Sequence, residues 1–169
     1  GLLLMGVDVA SIANNHAGNA GVKGLGETIQ LLEKNKIEVT GDVTPVYKKV
    51  KGVTFGFLGF NDISGGITGI EAAQFERIKS SIEETRKNAD VVVVMFHWGA
   101  EYRAQPDNRQ IELAHFTIDS GADLVASNHP HWVQPVELYN GKVIMYAHGN
   151  TIFDQEWSEK TKQGVLGKY

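Results

Sequence analysis

Two periodicities alternate along this chain: short apolar runs that suit strands, and apolar residues three to four apart that suit amphipathic helices. Residues 8–13 read as a short buried strand running straight into Asn14-Asn15-His16. A glycine-rich turn (Gly18, Gly21, Gly24) follows, then a helix with Leu25, Ile29 and Leu32 on one face. Residues 37–39 form a brief strand, and residues 45–49 and 53–60 form two strands of a hairpin turning at Lys51-Gly52. Residues 63–69, rich in Gly, Ser and Thr, predict a loop. Residues 71–87 predict a helix with Phe75, Ile78 and Ile82 inward, and the continuous apolar run 90–96 predicts a strand buried on both faces. A third helix spans residues 107–120 and stops at Gly121. Residues 123–126 give another strand, and residues 136–139 and 142–147 flank Asn140-Gly141, the strongest short-range hairpin signal in the chain.

Strands alternating with amphipathic helices imply an α/β domain with mixed sheets flanked by helices. No internal repeat, low-complexity tract or linker divides the chain, so residues 1–169 read as a single domain. The ends look cut: the apolar stretch 1–6 lacks a basic region and cleavage pattern, and residues 164–169 carry no stop signal. A fragment, truncated at its N-terminus and at its C-terminus, is expected.

Composition narrows the chemistry. Hydrophobic residues make up 42% of the 169 positions, enough for a core and against disorder. Sixteen Lys+Arg against twenty Asp+Glu give a net charge of −4, with no basic footprint for nucleic acid or an anionic membrane. No apolar run reaches the ~18 residues of a membrane span. The absence of Cys removes disulfides, thiolate metal sites and cysteine nucleophiles together.

The histidines carry the functional signal. Four of the six follow predicted strands: His16, His97, and the pair His129 and His131. Carboxyl ends of parallel strands share one sheet edge, where ligands and catalytic groups gather. Imidazoles collected there with a carboxamide oxygen suit a borderline divalent ion such as Mn, Fe or Zn. Taken singly, each has a plain structural reading: Asn14-Asn15 as a strand-end turn, His-Pro-His as a stiffened turn. His115, mid-helix, reads as structural, His148 as a hairpin-end surface residue, and Trp98 and Trp132 as packing beside the His clusters.

Ala13-Asn14-Asn15-His16, Gly24-Leu25, His97-Trp98-Gly99-Ala100-Glu101-Tyr102, Asn128-His129-Pro130-His131, Gln134-Pro135, and Gly149-Asn150 through Phe153-Asp154-Gln155 occur in order over nearly the whole chain. In this combination the sequence resembles the CapA family of bacterial capsule and poly-γ-glutamate biosynthesis proteins. That family resembles the calcineurin-like metallophosphoesterases, which implies a sandwich of two sheets flanked by helices, here partial, with two metals at the strand ends. By position, the resemblance implies Asn15 as a metal ligand through its side-chain oxygen, His97 and His129 on one metal, and His131 on the other. His16 would stand beside them as proton donor or stabiliser of transition-state charge. Glu101 and Tyr102 are candidates to orient a ligand imidazole or contact substrate, with an exposed-loop reading beside them, and Asn150 is a candidate substrate contact.

The resemblance also implies earlier ligands, an Asp ending a first strand and a second acidic motif with the bridging carboxylate, many tens of residues before Asn15. Only fourteen residues precede Asn15, so weak or mononuclear binding is expected of this chain. Three functions stay open: a metal-dependent hydrolase acting on a phosphoester or on an amide of an anionic polymer, a non-catalytic polymer-binding component of capsule assembly, and a site for one structural ion. The resemblance places the parent protein outside the cytoplasm, at the cell surface or membrane-anchored, alongside other capsule-synthesis membrane proteins.

Overall fold

The computed structural model describes residues 1–42, 44–63 and 70–169. Its chain runs α1 (Leu2–Met5), β1 (Val9–Ser11), α2 (Gly21–Lys34), β2 (Glu38–Thr40), β3 (Val46–Val50), β4 (Val53–Asn61), α3 (Phe75–Arg86), β5 (Val91–His97), α4 (Asn108–Asp119), β6 (Leu124–Asn128), β7 (Val136–Tyr139) and β8 (Lys142–Met145). Six strands form a mixed sheet in the order β3-β4-β5-β6-β8-β7. Its four central strands are parallel, and hairpins add one antiparallel strand at each edge. β1 and β2 pair in parallel as a second, two-stranded sheet.

Alternation along the central strands decides which face meets the helices. Val92, Val94 and Phe96 of β5 join Ile78 and Ile82 of α3 and Leu113, Ala114 and Ile118 of α4 in one buried cluster. The two-stranded sheet covers the opposite face beside β4, where Thr40 Oγ1 donates to the Phe57 carbonyl at 3.1 Å. Gly59 permits that approach: a Cβ there would lie 2.9 Å from the Gly41 Cα and 2.5 Å from Ser11 Oγ. Mixed sheets flanked by helices are therefore the architecture, as the alternating pattern predicts.

Helix ends follow local chemistry. Asp107 caps α4 in a reciprocal capping box with Gln110, and Gly121 follows with φ +107. The β7–β8 hairpin turns through Asn140 (φ +49) and Gly141 (φ +74), the left-handed pair of a type I′ turn. The start of α3 differs from the periodicity. Helix α3 begins at Phe75 rather than residue 71, because Glu71 and Ala73 exchange backbone hydrogen bonds with Asn61 and continue the sheet for one bridge. The loop expected over residues 63–69 falls, from residue 64 on, outside the described residues.

Asp123, just before β6, ties three elements together. Its carboxylate accepts from Arg86 of α3, from Lys142 Nζ of β8 at 2.5 Å and from the Val92 amide of β5 at 2.9 Å. Burial pushes its pKa up, but the Lys142, Arg86 and Val92 donors together outweigh burial and hold it below its ordinary value. Asp123→Asn is expected to cost about 2 kcal/mol in urea unfolding at neutral pH. Because the unfolded carboxylate takes up its proton first, this group's contribution is present above its ordinary pKa of 3.8 and fades as pH falls through the depressed value. The gap between parent and variant should therefore close on acidification.

Candidate functional site

The parallel register brings the polar strand ends to one rim. Asn61 of β4 lies opposite His97 of β5, which lies opposite Asn128 of β6, with His129 the next residue. Asn15 arrives from the second sheet through the turn after β1, where the His16 amide donates to Asn14 Oδ1 at 2.8 Å. Asn14 thus shapes the turn, and Asn15 is left to project over the rim. Asn15 Oδ1 lies 2.9 Å from His97 Nε2, which lies 3.1 Å from His129 Nδ1.

Backbone strain accompanies this convergence. His129 (φ +103), His131 (φ +60) and Tyr102 (φ +60) all occupy left-handed conformations that cost a non-glycine residue on the order of 1–3 kcal/mol. The Tyr102 amide donates to the Pro130 carbonyl at 2.8 Å, joining the loop after β5 to the His129–His131 turn. Below that loop, buried Gln134 donates from Nε2 to the Arg103 and Gln105 carbonyls, 3.1 Å each, and accepts from Gln110 Nε2 at 2.9 Å. Gln134 thus acts as a prop for the rim.

Burial and the neighbouring imidazoles favour the neutral form of both central histidines. Burial, reinforced by His129, His16 and His131, pushes His97 from its ordinary 6.5 down to about 3. Burial also lowers His129, with His131 and His16 adding to it and Glu101 opposing. A neutral imidazole offers a lone pair to a cation, whereas an imidazolium cannot.

The donor set bears on whether a metal fits. Ligand atoms about 2.0–2.2 Å from a first-row ion stand about 3 Å apart at adjacent positions. The spacings of Asn15 Oδ1, His97 Nε2 and His129 Nδ1 match that pattern. Among the described residues, however, no three His, Asp or Glu side chains are grouped so as to hold a metal by themselves. Asp62, a carboxylate just after β4 whose amide donates to the His97 carbonyl, is engaged by Arg109 at 3.1 Å. Two imidazoles and a carboxamide thus fit part of a borderline divalent shell, without the negative charge of a full one.

The remaining expected residues spread outward from this trio. The His131 ring lies 6.2 Å from that of His129, and its Nδ1 is 2.9 Å from Asn150 Oδ1. His16 is exposed, with Nδ1 3.1 Å from Asn19 Nδ2, close enough for its charge to be felt at His97 and His129. Glu101 is exposed and acts on His129 through its charge. Tyr102 stacks on His131 (5.6 Å) and meets Trp157 edge-on (4.8 Å), while its hydroxyl accepts from Gln155 Nε2 at 3.2 Å. The Phe153 ring lies 5.2 Å from that of His131.

Trp98 is fully buried and stacked on Phe96, and Lys160 Nζ sits 4.2 Å above the half-buried Trp132 ring. His115 pairs with Glu137 at 2.9 Å and stacks on Tyr139, remote from the rim in its bonding. His148 is half-buried, bridging the Ser127 carbonyl and the Tyr169 hydroxyl, rather than lying free on the surface. Sequence reasoning overlooked Trp157 because it follows no strand, whereas Gln155 enters as part of the motif after Gly149-Asn150.

Residues 2–155 match the family model described as "Bacterial capsule synthesis protein PGA_cap". The chain belongs to this family. It is 39% identical to the PGA biosynthesis protein CapA of Bacillus subtilis (strain 168), an alignment covering 98% of this chain and 47% of that protein. It is 35% identical to the capsule biosynthesis protein CapA of Bacillus anthracis, covering 97% of this chain and 44% of that protein. The chain thus spans about half the length of the curated relatives it matches. Among solved structures, a hypothetical protein from Thermus thermophilus superposes with TM-score 0.63 at 21% identity, over 88% of this chain and 56% of that one. A crystal structure described as a novel phosphatase of Mycoplasma pneumoniae superposes with TM-score 0.54 at 9% identity, over 70% of this chain and 44% of that one. Both share the fold.

Proposed function

We propose that this chain contributes the histidine half of a divalent-metal hydrolase site in an extracytoplasmic, cell-surface or membrane-anchored capsule or poly-γ-glutamate biosynthesis protein. The observation that carries the reading is the approach of Asn15 Oδ1 and His129 Nδ1, each to within about one coordination edge of His97 Nε2. Those three would hold one Mn, Fe or Zn ion, and His131 would hold a second. Bound ions supply Lewis acidity and water activation, which suits a chain with no cysteine nucleophile. His16, exposed beside the rim, gives its proton to the leaving oxygen or nitrogen, or stabilises developing negative charge. Glu101 and Tyr102 border the site where an anionic polymer or phosphoester would lie, and other capsule-synthesis membrane proteins are its working partners.

A second reading is a polymer-binding component without turnover. It is favoured by the donor trio's lack of a carboxylate and by the exposed aromatics Phe153 and Trp157 beside His131 and Tyr102. Hydrolysis of a generic aryl phosphodiester by the full-length protein with added Mn²⁺ separates the two. The hydrolase reading expects metal-dependent turnover that His129→Ala and His131→Ala each reduce by at least about 100-fold. Turnover that is absent, or unchanged in both variants, leaves the polymer-binding reading.

A further inference from the structure

Asn150 is a candidate substrate contact in the sequence, yet its amide is committed within the chain. Its Oδ1 lies 2.9 Å from His131 Nδ1. Its Nδ2 donates to the Thr161 carbonyl at 2.9 Å and reaches Gln155 Oε1 at 3.4 Å. The Thr161 carbonyl can only accept, so the NH₂ end of the Asn150 amide must face it and the oxygen must face His131. An amide oxygen cannot donate. The imidazole nitrogen facing it therefore carries the hydrogen, and in a neutral ring the other nitrogen, Nε2, holds the lone pair.

The segment behind Asn150 is built to keep that orientation. Thr161 is 1% exposed, and its Oγ1 donates to the Gln155 carbonyl at 2.6 Å while its amide donates to Ser158 Oγ at 3.2 Å. The Asn150 amide itself donates to the Gln163 carbonyl at 3.1 Å, and the Val165 amide donates to the His148 carbonyl at 2.8 Å, bracketing Gly149 and Gly164. Flipping the side chain would set two oxygens against each other in a buried place, so the fold selects one amide orientation and, through it, one imidazole tautomer.

We propose that Asn150 is a positioning residue that holds His131 as the Nδ1–H tautomer, leaving Nε2 free to accept a cation at the rim. The proposal rests on the reading of His131 as a metal ligand. A hydrogen-bond acceptor on the nitrogen that does not bind metal is the usual means of fixing a ligand imidazole. Asn150 thereby couples the loop of residues 150–161 to the site without touching substrate.

The test is heteronuclear NMR that resolves the two His131 ring nitrogens in the metal-free chain, at about pH 8 where free imidazoles are neutral. The parent should show hydrogen on Nδ1. Asn150→Ala should move the population toward Nε2–H, the tautomer an unconstrained imidazole prefers. Asn150→Asp should retain Nδ1–H, because a carboxylate oxygen still accepts there, although it loses the donation to Thr161 and with it some thermal stability. A merely structural role would give the two variants the same tautomer.

Nε2–H in the parent overturns the proposal with no variant needed, as does a folded Asn150→Ala protein that keeps Nδ1–H. Mn²⁺ titration supplies the second readout, with Asn150→Ala expected to bind about 10–100-fold more weakly than the parent. A shifted tautomer with unchanged Mn²⁺ affinity overturns the ligand reading of His131 and leaves the hydrogen-bond assignment standing, so the two failures are distinguishable.

Discussion

Replacing His97 by alanine is expected to weaken Mn²⁺ binding by more than about 100-fold, to the edge of detection by calorimetry. Among the described rim side chains no other is so placed: its Nε2 is the atom shared by the Asn15 contact at 2.9 Å and the His129 contact at 3.1 Å. The same substitution has a signature without metal. In the folded chain His97 stays neutral down to about 3, whereas in the unfolded chain it takes a proton near its ordinary 6.5. Between those values the unfolded state binds more protons, so parent stability falls as pH drops through that window. The lowered pKa of His129 acts in the same sense. His97→Ala removes one source of this dependence, so its urea midpoint should change less than the parent's between about pH 7 and pH 5. Equal pH dependence in the two proteins would show that the imidazole is not held neutral at the rim.

The rim was legible because parallel strands order their ends. Val91 through Phe96 form so continuous an apolar run that a central strand is the natural outcome, and His97 must then stand at its carboxyl end. His129 follows from the same logic after β6. What periodicity could not give is which atoms meet. The sequence offers Asn14 and Asn15 as equivalents, and only the turn geometry spends Asn14 on the His16 amide and frees Asn15 to face His97. Nor could spacing reveal that Glu71–Ala73 extend the sheet rather than begin α3, because the Glu71 carbonyl and the Ala73 amide are claimed by Asn61, ten or more residues earlier. Long-range backbone pairing overrides local helical pattern at such a boundary. The Asn150–Thr161 bond escapes sequence reasoning for the same reason: both partners lie in irregular chain, where no period links them.

Trp98→Ala should bring the protein close to unfolding, with a loss of about 3–5 kcal/mol against a domain stability that is typically about 5–15 kcal/mol. The indole is fully buried, stacked on Phe96 at 4.4 Å and 4°, and 6.0 Å from the Tyr146 ring. Its Nε1 donates to the Tyr146 carbonyl at 2.9 Å, so truncation leaves both a cavity and an unpaired buried acceptor. Trp98→Phe separates these two losses. It keeps an aromatic plate on Phe96 but gives up the hydrogen bond and part of the volume, for an expected cost of about 1–3 kcal/mol. Because Trp98 directly follows His97 yet turns into the core, Trp98→Phe should retain Mn²⁺ binding within about threefold, far from the loss expected of a ligand. Urea unfolding of the two variants beside the parent, with Mn²⁺ titration of Trp98→Phe, tests both halves. A Trp98→Ala protein within about 1 kcal/mol of the parent would mean that the β5–β8 layer is not packed around this side chain.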